Sequence, residues 1–294
     1  MDFVDGVEPP FMLFGRGASM EADLAQTLGL DYRETMQPGD DLAWREVREK
    51  VCAGRPTMLS GDIYHLDYRK FKVHFPAHRF VLLGFDEERG EVYVADRTDE
   101  TTQTCSMQAL RLSRNPPDGL STYNGWGKFH SGAVRHSLAD ACGIALHTTV
   151  LRMLGFDDSQ LQAMAAVRGA EGGLLETGLK GLRTFSEQLP LWQQREDAAA
   201  HAAYVDNAII KFGTGGGFFR DHFAQFMHWA QPQRPDLVGS TTVDLATLVA
   251  KSWNALSPTM QGLAADARFL TPVISPLTAS AACSVSPARL MLMA

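Results

Sequence analysis

The chain has 294 residues, 45% of them hydrophobic, with a formal net charge of −7 and a pI near 5.7. That length accommodates one large or two ordinary domains, each with enough apolar material for its own core. An acidic chain without a Lys/Arg block argues against nucleic acid or an anionic membrane as partner, and no apolar run approaches the ~18 residues a membrane helix needs.

The N-terminus, Met1-Asp2-Phe3-Val4-Asp5, lacks the basic-then-apolar layout of a signal peptide. Cys52, Cys105, Cys142 and Cys283 are widely scattered with no CxxC, which reads as reduced thiols in a cytoplasmic protein. Along the chain, Ser19 to Leu28 forms a short helix pattern with Ser19 as N-cap and Gly29 as the stop. Asp41 to Ala53 forms a second, ended by Gly54-Arg55-Pro56, and Thr57-Met58-Leu59-Ser60 suits a buried strand. Two β-rich runs, Arg79–Gly84 and Glu91–Asp96, flank the polar loop Asp86-Glu87-Glu88-Arg89-Gly90, which is the pattern of a β-hairpin.

Residues 113–127, rich in Pro, Gly and Asn, place the domain junction. Beyond it the periodicity is helical. Ser137 caps a helix with Asp140 at N3, and Leu138, Cys142, Leu146, Val150 and Met153 form a stripe ending at Gly155. Further helices are expected over Leu179–Leu189, Ala198–Phe212, Phe218–Trp229 and Thr242–Leu256. The Ser/Ala/Pro-rich stretch from Leu270 to Ala294 fits neither period and is expected to be irregular.

The chemistry centres on His78 and Asp96. A His opening the first strand of a hairpin lies beside an Asp closing the second, and the gap of 18 residues matches two strands with their turn. A carboxylate accepting from one imidazole nitrogen fixes the tautomer and leaves the other as a base toward a thiol. On spacing alone the plainer reading, a surface or packed histidine and a turn aspartate, is the commoner one. His74 and His78 have an H-x-x-x-H spacing, but Pro76 between them breaks the helix a zinc pair would need, so no metal is expected. The loop Gly213-Thr214-Gly215-Gly216-Gly217 opens a helix. Its N–H groups are candidates, with Arg220, for an anion such as a phosphopantetheine phosphate, against the plainer reading of a positive-φ turn.

The segments Ala53-Gly54-Arg55-Pro56, Asp62-Ile63-Tyr64-His65-Leu66-Asp67-Tyr68, Ala77–Asp86 and Val92–Asp96 resemble the butirosin biosynthesis protein H N-terminal family, a relative of the C39-type, papain-like peptidases. Asp67 departs from the family, which usually has Pro there. The second half, through Gly178–Arg183, Trp192, Gly213–Arg220 and Phe226, resembles the helical domain of unassigned function that often follows it. The resemblance implies acyl transfer from a carrier-protein thioester to an amine by a Cys-His-Asp site. His78 is then general base and acid, and Asp96 its orienter. Asp62, Tyr64 and Tyr68 are placed at the substrate cleft, although strand aromatics often simply pack.

In that family the nucleophile lies near the chain start, at the head of a helix. Met1 to Gly17 holds no Cys, so the nucleophile segment is expected to be missing. The remaining candidates are Cys142, followed by an apolar helix but placed a turn inside it, and Cys105, in a polar loop past the hairpin; Cys52 reads as packing.

The expectation is therefore an α+β chain. Residues 1–125 form a partial papain-like domain, 126–269 an all-α domain and 270–294 an irregular tail. Its expected function is cysteine-dependent acyl transfer in specialised-metabolite biosynthesis. The partners are a small-molecule amine and an acyl thioester, the latter carried by an acyl or peptidyl carrier protein, with no cofactor. The rivals are a C39-like amide hydrolase and a non-catalytic binding protein.

Overall fold

The computed structural model describes residues 2–5, 11–15, 17, 19–69, 74–75, 78–97, 100–116, 122–130, 133–157, 175–211 and 216–265. The chain divides into two units, one of Leu24–Arg135 and one of Met1–Asp23 together with His136–Ala294. The irregular tail expected over 270–294, and Cys283 within it, lie outside the described residues.

The first unit is a six-stranded sheet in which every pairing is antiparallel. Its strands are β3 (Asp31–Thr35), β4 (Thr57–Gly61), β5 (His78–Asp86), β6 (Glu91–Ala95), β7 (Thr102–Ser106) and β8 (Trp126–His130), in the order β3-β8-β4-β5-β6-β7. Period-2 alternation sends Leu59, Phe80, Leu82, Val92 and Val94 to one face. There they are buried with Val47 of α2 (Asp40–Cys52) and Leu110 of α3 (Met107–Arg114). The expected hairpin is present as β5 and β6, with Gly90 at φ +66 in its turn, the left-handed geometry glycine adopts most cheaply. Ser106 caps α3 by accepting from the Ala109 N–H at 3.1 Å.

The expected junction at 125 falls inside this unit. Residues 126–130 form β8, which pairs with β3 from Asp31↔His130 to Thr35↔Trp126 and with β4 at Met58↔Gly127. A Gly- and Pro-rich stretch here marks the approach to a strand, not a boundary, and the unit continues to Arg135.

The second unit carries α4 (Leu138–Leu154), α5 (Gly178–Gln188), α6 (Ala198–Ile210), α7 (Arg220–Gln233) and α8 (Ser240–Ala265). It is not purely helical. β1 (Asp2–Asp5), β2 (Phe11–Phe14) and β9 (Leu175–Glu176) form a small antiparallel sheet in the order β2-β1-β9, so the first residues of the chain join this unit. α1 (Met20–Leu28) runs from this unit into the other.

Ser137 caps α4 as expected, accepting from the Asp140 N–H at 3.1 Å, and Gly155 closes it at φ +79. The expected stripe holds only in part: Cys142 is buried, whereas Leu138 is 57% exposed. α8 runs through Pro258, where the sequence suggested a stop at Leu256. An interior proline costs ~3 kcal/mol. Burying Met260 and Leu263 beyond it returns about 1.5–3 kcal/mol each, which offsets that cost. The core is aromatic, with Trp253 stacked between Phe185 (6.3 Å) and Phe218 (5.1 Å).

Candidate functional site

His78 opens β5 opposite Gly61, and Asp96 follows the last residue of β6. Because Val81 pairs with Ala95, the antiparallel register brings the two to one end of the hairpin. The His78 Nε2 lies 2.9 Å from both carboxylate oxygens of Asp96. With the proton on Nε2 donated to Asp96, Nδ1 keeps its lone pair for chemistry. The Asp96 side chain is 5% exposed and that of His78 is 18% exposed, so the carboxylate is covered while the imidazole reaches solvent.

Asp96 is held from three further directions. The Tyr68 hydroxyl donates to Oδ2 at 3.0 Å, and Arg69 donates from Nε at 2.9 Å and pairs through Nη2 at 2.8 Å. Arg69 also donates to the Asp96 carbonyl, and the Asp96 N–H donates to Gln103 Oε1 at 3.1 Å. Burial pushes the Asp96 carboxyl up. The hydrogen bond and charge of His78, the charge of Arg69 and the Tyr68 hydroxyl outweigh burial and hold the group below its ordinary value. Burial, followed by the Asp96 charge, pushes the Tyr68 phenol well up, so it acts as a donor and not a base. Sequence reading placed Tyr68 at the cleft but missed Arg69. The signal was its position directly after Tyr68, on the turn that faces Asp96.

Asp62 and Tyr64 build a neighbouring feature. Asp62, fully buried, caps the 3₁₀ turn Ile63–His65: Oδ1 accepts from the Tyr64 N–H at 3.1 Å and from the Phe75 N–H at 2.8 Å. Its backbone is pinned to Ser113 in both directions. Oδ2 lies 2.6 Å from His74 Nδ1, and the Tyr64 ring stacks on His74 with centroids 4.1 Å apart. Tyr64 is 43% exposed, so it forms a wall of an open surface and is not core packing. His74, weighed in the sequence only as a partner for His78, pairs with Asp62 instead.

The cysteines do not complete a triad with His78 among the described residues. Cys105 is not in a loop. It lies on β7 opposite Val92, buried at 1% exposure, where β-alternation directs it into the core. Val92 is four positions before Asp96, about 13 Å along a strand at ~3.3 Å per residue. Burial and then Asp67 push the Cys105 thiol far up, the reverse of an activated nucleophile. Cys142 lies inside α4 in the core of the second unit, its thiol raised by burial. Cys52, expected to pack, is exposed at the end of α2.

The glycine loop is internally committed where it is described; Gly213, Thr214 and Gly215 lie outside the described residues. The Gly217 N–H donates to Asn254 Oδ1 at 2.9 Å, and a Cβ on Gly216 would come within 2.9 Å of Asp221 Oδ2. Arg220 donates to the carbonyls of Gly15 and Phe218 and lies over the Phe218 and Trp253 rings. An adjacent carboxylate and an engaged guanidinium fit the structural reading of this loop better than an anion site.

Among the described residues no helix is long and apolar enough to cross a membrane. The family model described as butirosin biosynthesis protein H, N-terminal, matches residues 2–97. A domain of unknown function (DUF4872) matches residues 131–277. A comparison with curated proteins finds no match.

Proposed function

We propose, from the premise that the chain belongs to the family in which a butirosin biosynthesis protein H N-terminal domain precedes DUF4872, that its sheet unit serves acyl transfer from a thioester to an amine. The family name points to a biosynthetic protein. The observation that carries the reaction type is the His78 Nε2–Asp96 contact at 2.9 Å, which leaves Nδ1 as a base at the sheet end. In the direct route the amine nitrogen attacks the thioester carbonyl, a C–N bond forms and the C–S bond breaks. His78 Nδ1 takes the proton from the amine and returns it to the leaving thiolate.

In the covalent route a protein thiol gives its proton to Nδ1 and attacks the thioester carbonyl, and the donor's C–S bond breaks as its thiolate takes that proton. The amine then attacks the new thioester, a C–N bond forms, and the amine's proton passes through Nδ1 to the released protein thiolate. Cys52, exposed on α2, and Cys105, buried on β7, are the described thiols of this unit. Cys105 is buried in the core, and Cys52 precedes Thr57, the end of β4 away from the Gly61 that pairs with His78. Neither is set against Nδ1, so the covalent route calls for another thiol.

The test is turnover of an acyl-pantetheine thioester with a primary amine, following thiol release and product mass. His78→Ala is expected to lower amide formation by about 10²–10⁴-fold, with Asp96→Asn also impaired through the wrong tautomer. Unchanged amide formation in His78→Ala overturns the assignment. Free acid in place of amide assigns the same dyad to amide or thioester hydrolysis.

A further inference from the structure

A second histidine–carboxylate group stands beside the first and is not used by the acyl-transfer reading. Asp62 and His65 are three residues apart across a 3₁₀ turn, where side chains at i and i+3 eclipse one another. The chain returns nine residues later to set His74 against the same carboxylate. One ligand atom from each of Asp62, His65 and His74 falls in a cluster in which all three lie within 4.8 Å of one another.

We propose that Asp62, His65 and His74 form a site for a divalent transition-metal ion of the zinc class. Four observations support it. The Asp62 carboxylate is fully buried, and His74 is its one ion-pair partner among the described residues. The buried Nε2 of His65 has no hydrogen-bond partner among the described residues, which a metal bond would satisfy. The cluster is held in place: Tyr64 and Phe75 N–H groups fix Oδ1, and the Tyr64 ring stacks on His74. The His74 side chain is 49% exposed, which gives an ion a path in.

Ligand chemistry sets the class. Two imidazoles and one carboxylate, without thiolate, suit zinc and its neighbours and not calcium or magnesium. Zinc holds such donors at ~2.0–2.2 Å in tetrahedral geometry, which places ligand atoms about 3.3–3.6 Å apart. The present Oδ2–Nδ1 separation of 2.6 Å would open by about 0.7–1 Å as the ion replaces the hydrogen bond. Three protein ligands leave a fourth position for water or an anionic ligand.

The experiment uses the full chain freed of metal, titrated with Zn²⁺ by calorimetry, with Co²⁺ absorption reporting coordination. The variants are His65→Gln, His74→Gln and, on the other dyad, His78→Gln. Asp62 is also the buried cap of the 3₁₀ turn, so the two histidines carry the test. The expected result is one Zn²⁺ per chain, weakened more than about 100-fold in His65→Gln and in His74→Gln, since even outer-shell changes cost 10–100-fold. His78→Gln should bind as the unaltered chain does. Absence of stoichiometric binding, or the unaltered chain's affinity retained in His65→Gln and in His74→Gln, overturns the site. Loss of binding in His78→Gln alone also overturns it and moves the ion to the Asp96 dyad. These readouts are independent of acyl-transfer activity.

Discussion

The two units bury carboxylates in different company. In the sheet unit, Asp62 and Asp96 are each joined to a histidine that reaches solvent, His74 and His78. In the helical unit, Asp206 of α6 accepts from the Ser257 hydroxyl at 2.5 Å and from the Gln261 amide at 3.2 Å. A carboxylate tied to a titratable, solvent-reaching ring can exchange protons or ions with a ligand. One tied to a hydroxyl and an amide joins two helices. The same side chain thus serves chemistry in one unit and architecture in the other, and the partner decides which.

Breaking the architectural half should have the largest effect on stability. Asp206→Ala leaves the buried Ser257 hydroxyl without its acceptor and should cost about 1–3 kcal/mol in urea unfolding. Asp206→Asn retains an acceptor oxygen and should recover most of that loss. Equal losses in the two variants would mean that charge, and not the hydrogen bond, holds α6 to α8.

The chemical half should show itself through pH. The Asp96 carboxyl lies below its ordinary value in the folded chain. Its contribution to stability is therefore fully present above the unfolded-state value of about 3.9 and is lost as pH falls through the lower, folded-state value. Acid titration followed by circular dichroism should show this loss in the unaltered chain and a flatter curve in Asp96→Asn. An unchanged curve would remove Asp96 from the groups that set acid stability.

Local signals in the sequence reached a good part of this arrangement. The β5–β6 hairpin was legible because Gly90 and its acidic loop separate two β-rich runs, and α4 because Ser137 and Gly155 mark its ends. β3 (DYRET) and β7 (TQTCS) were not legible. β3 has no apolar alternation, and β7 buries the polar Gln103 beside Cys105, so only their neighbours in the sheet make them strands. β8 was hidden by the Gly- and Pro-rich approach to it. At the candidate site, His78 and Asp96 followed from hairpin geometry, which depends on spacing within one short segment. Arg69 and His74 did not. Their positions depend on the turn after Ile63–His65 returning toward the sheet, a tertiary fact that no local period encodes.

The smallest expected effect compares two arginines of equal exposure. Arg152 of the helical unit binds Asp23 at 2.6 and 2.9 Å and Asp157 at 3.0 Å, and its side chain is 24% exposed. Arg69 binds Asp96 at 2.8–2.9 Å and is 23% exposed. The carboxylates differ: those of Asp23 and Asp157 are 28% exposed, that of Asp96 only 5%. Water and salt therefore reach the Arg152 pairs directly. Arg152→Gln should cost no more than about 1 kcal/mol, and the difference should fade toward 1 M salt, where the screening length is ~3 Å. Arg69→Gln removes a cation from a covered carboxylate, so its effect should persist across the same salt range. If both variants respond to salt alike, solvent reaches Asp96 as freely as it reaches Asp23, and the distinction between a covered carboxylate and an open one fails at the site where the proposed chemistry depends on it.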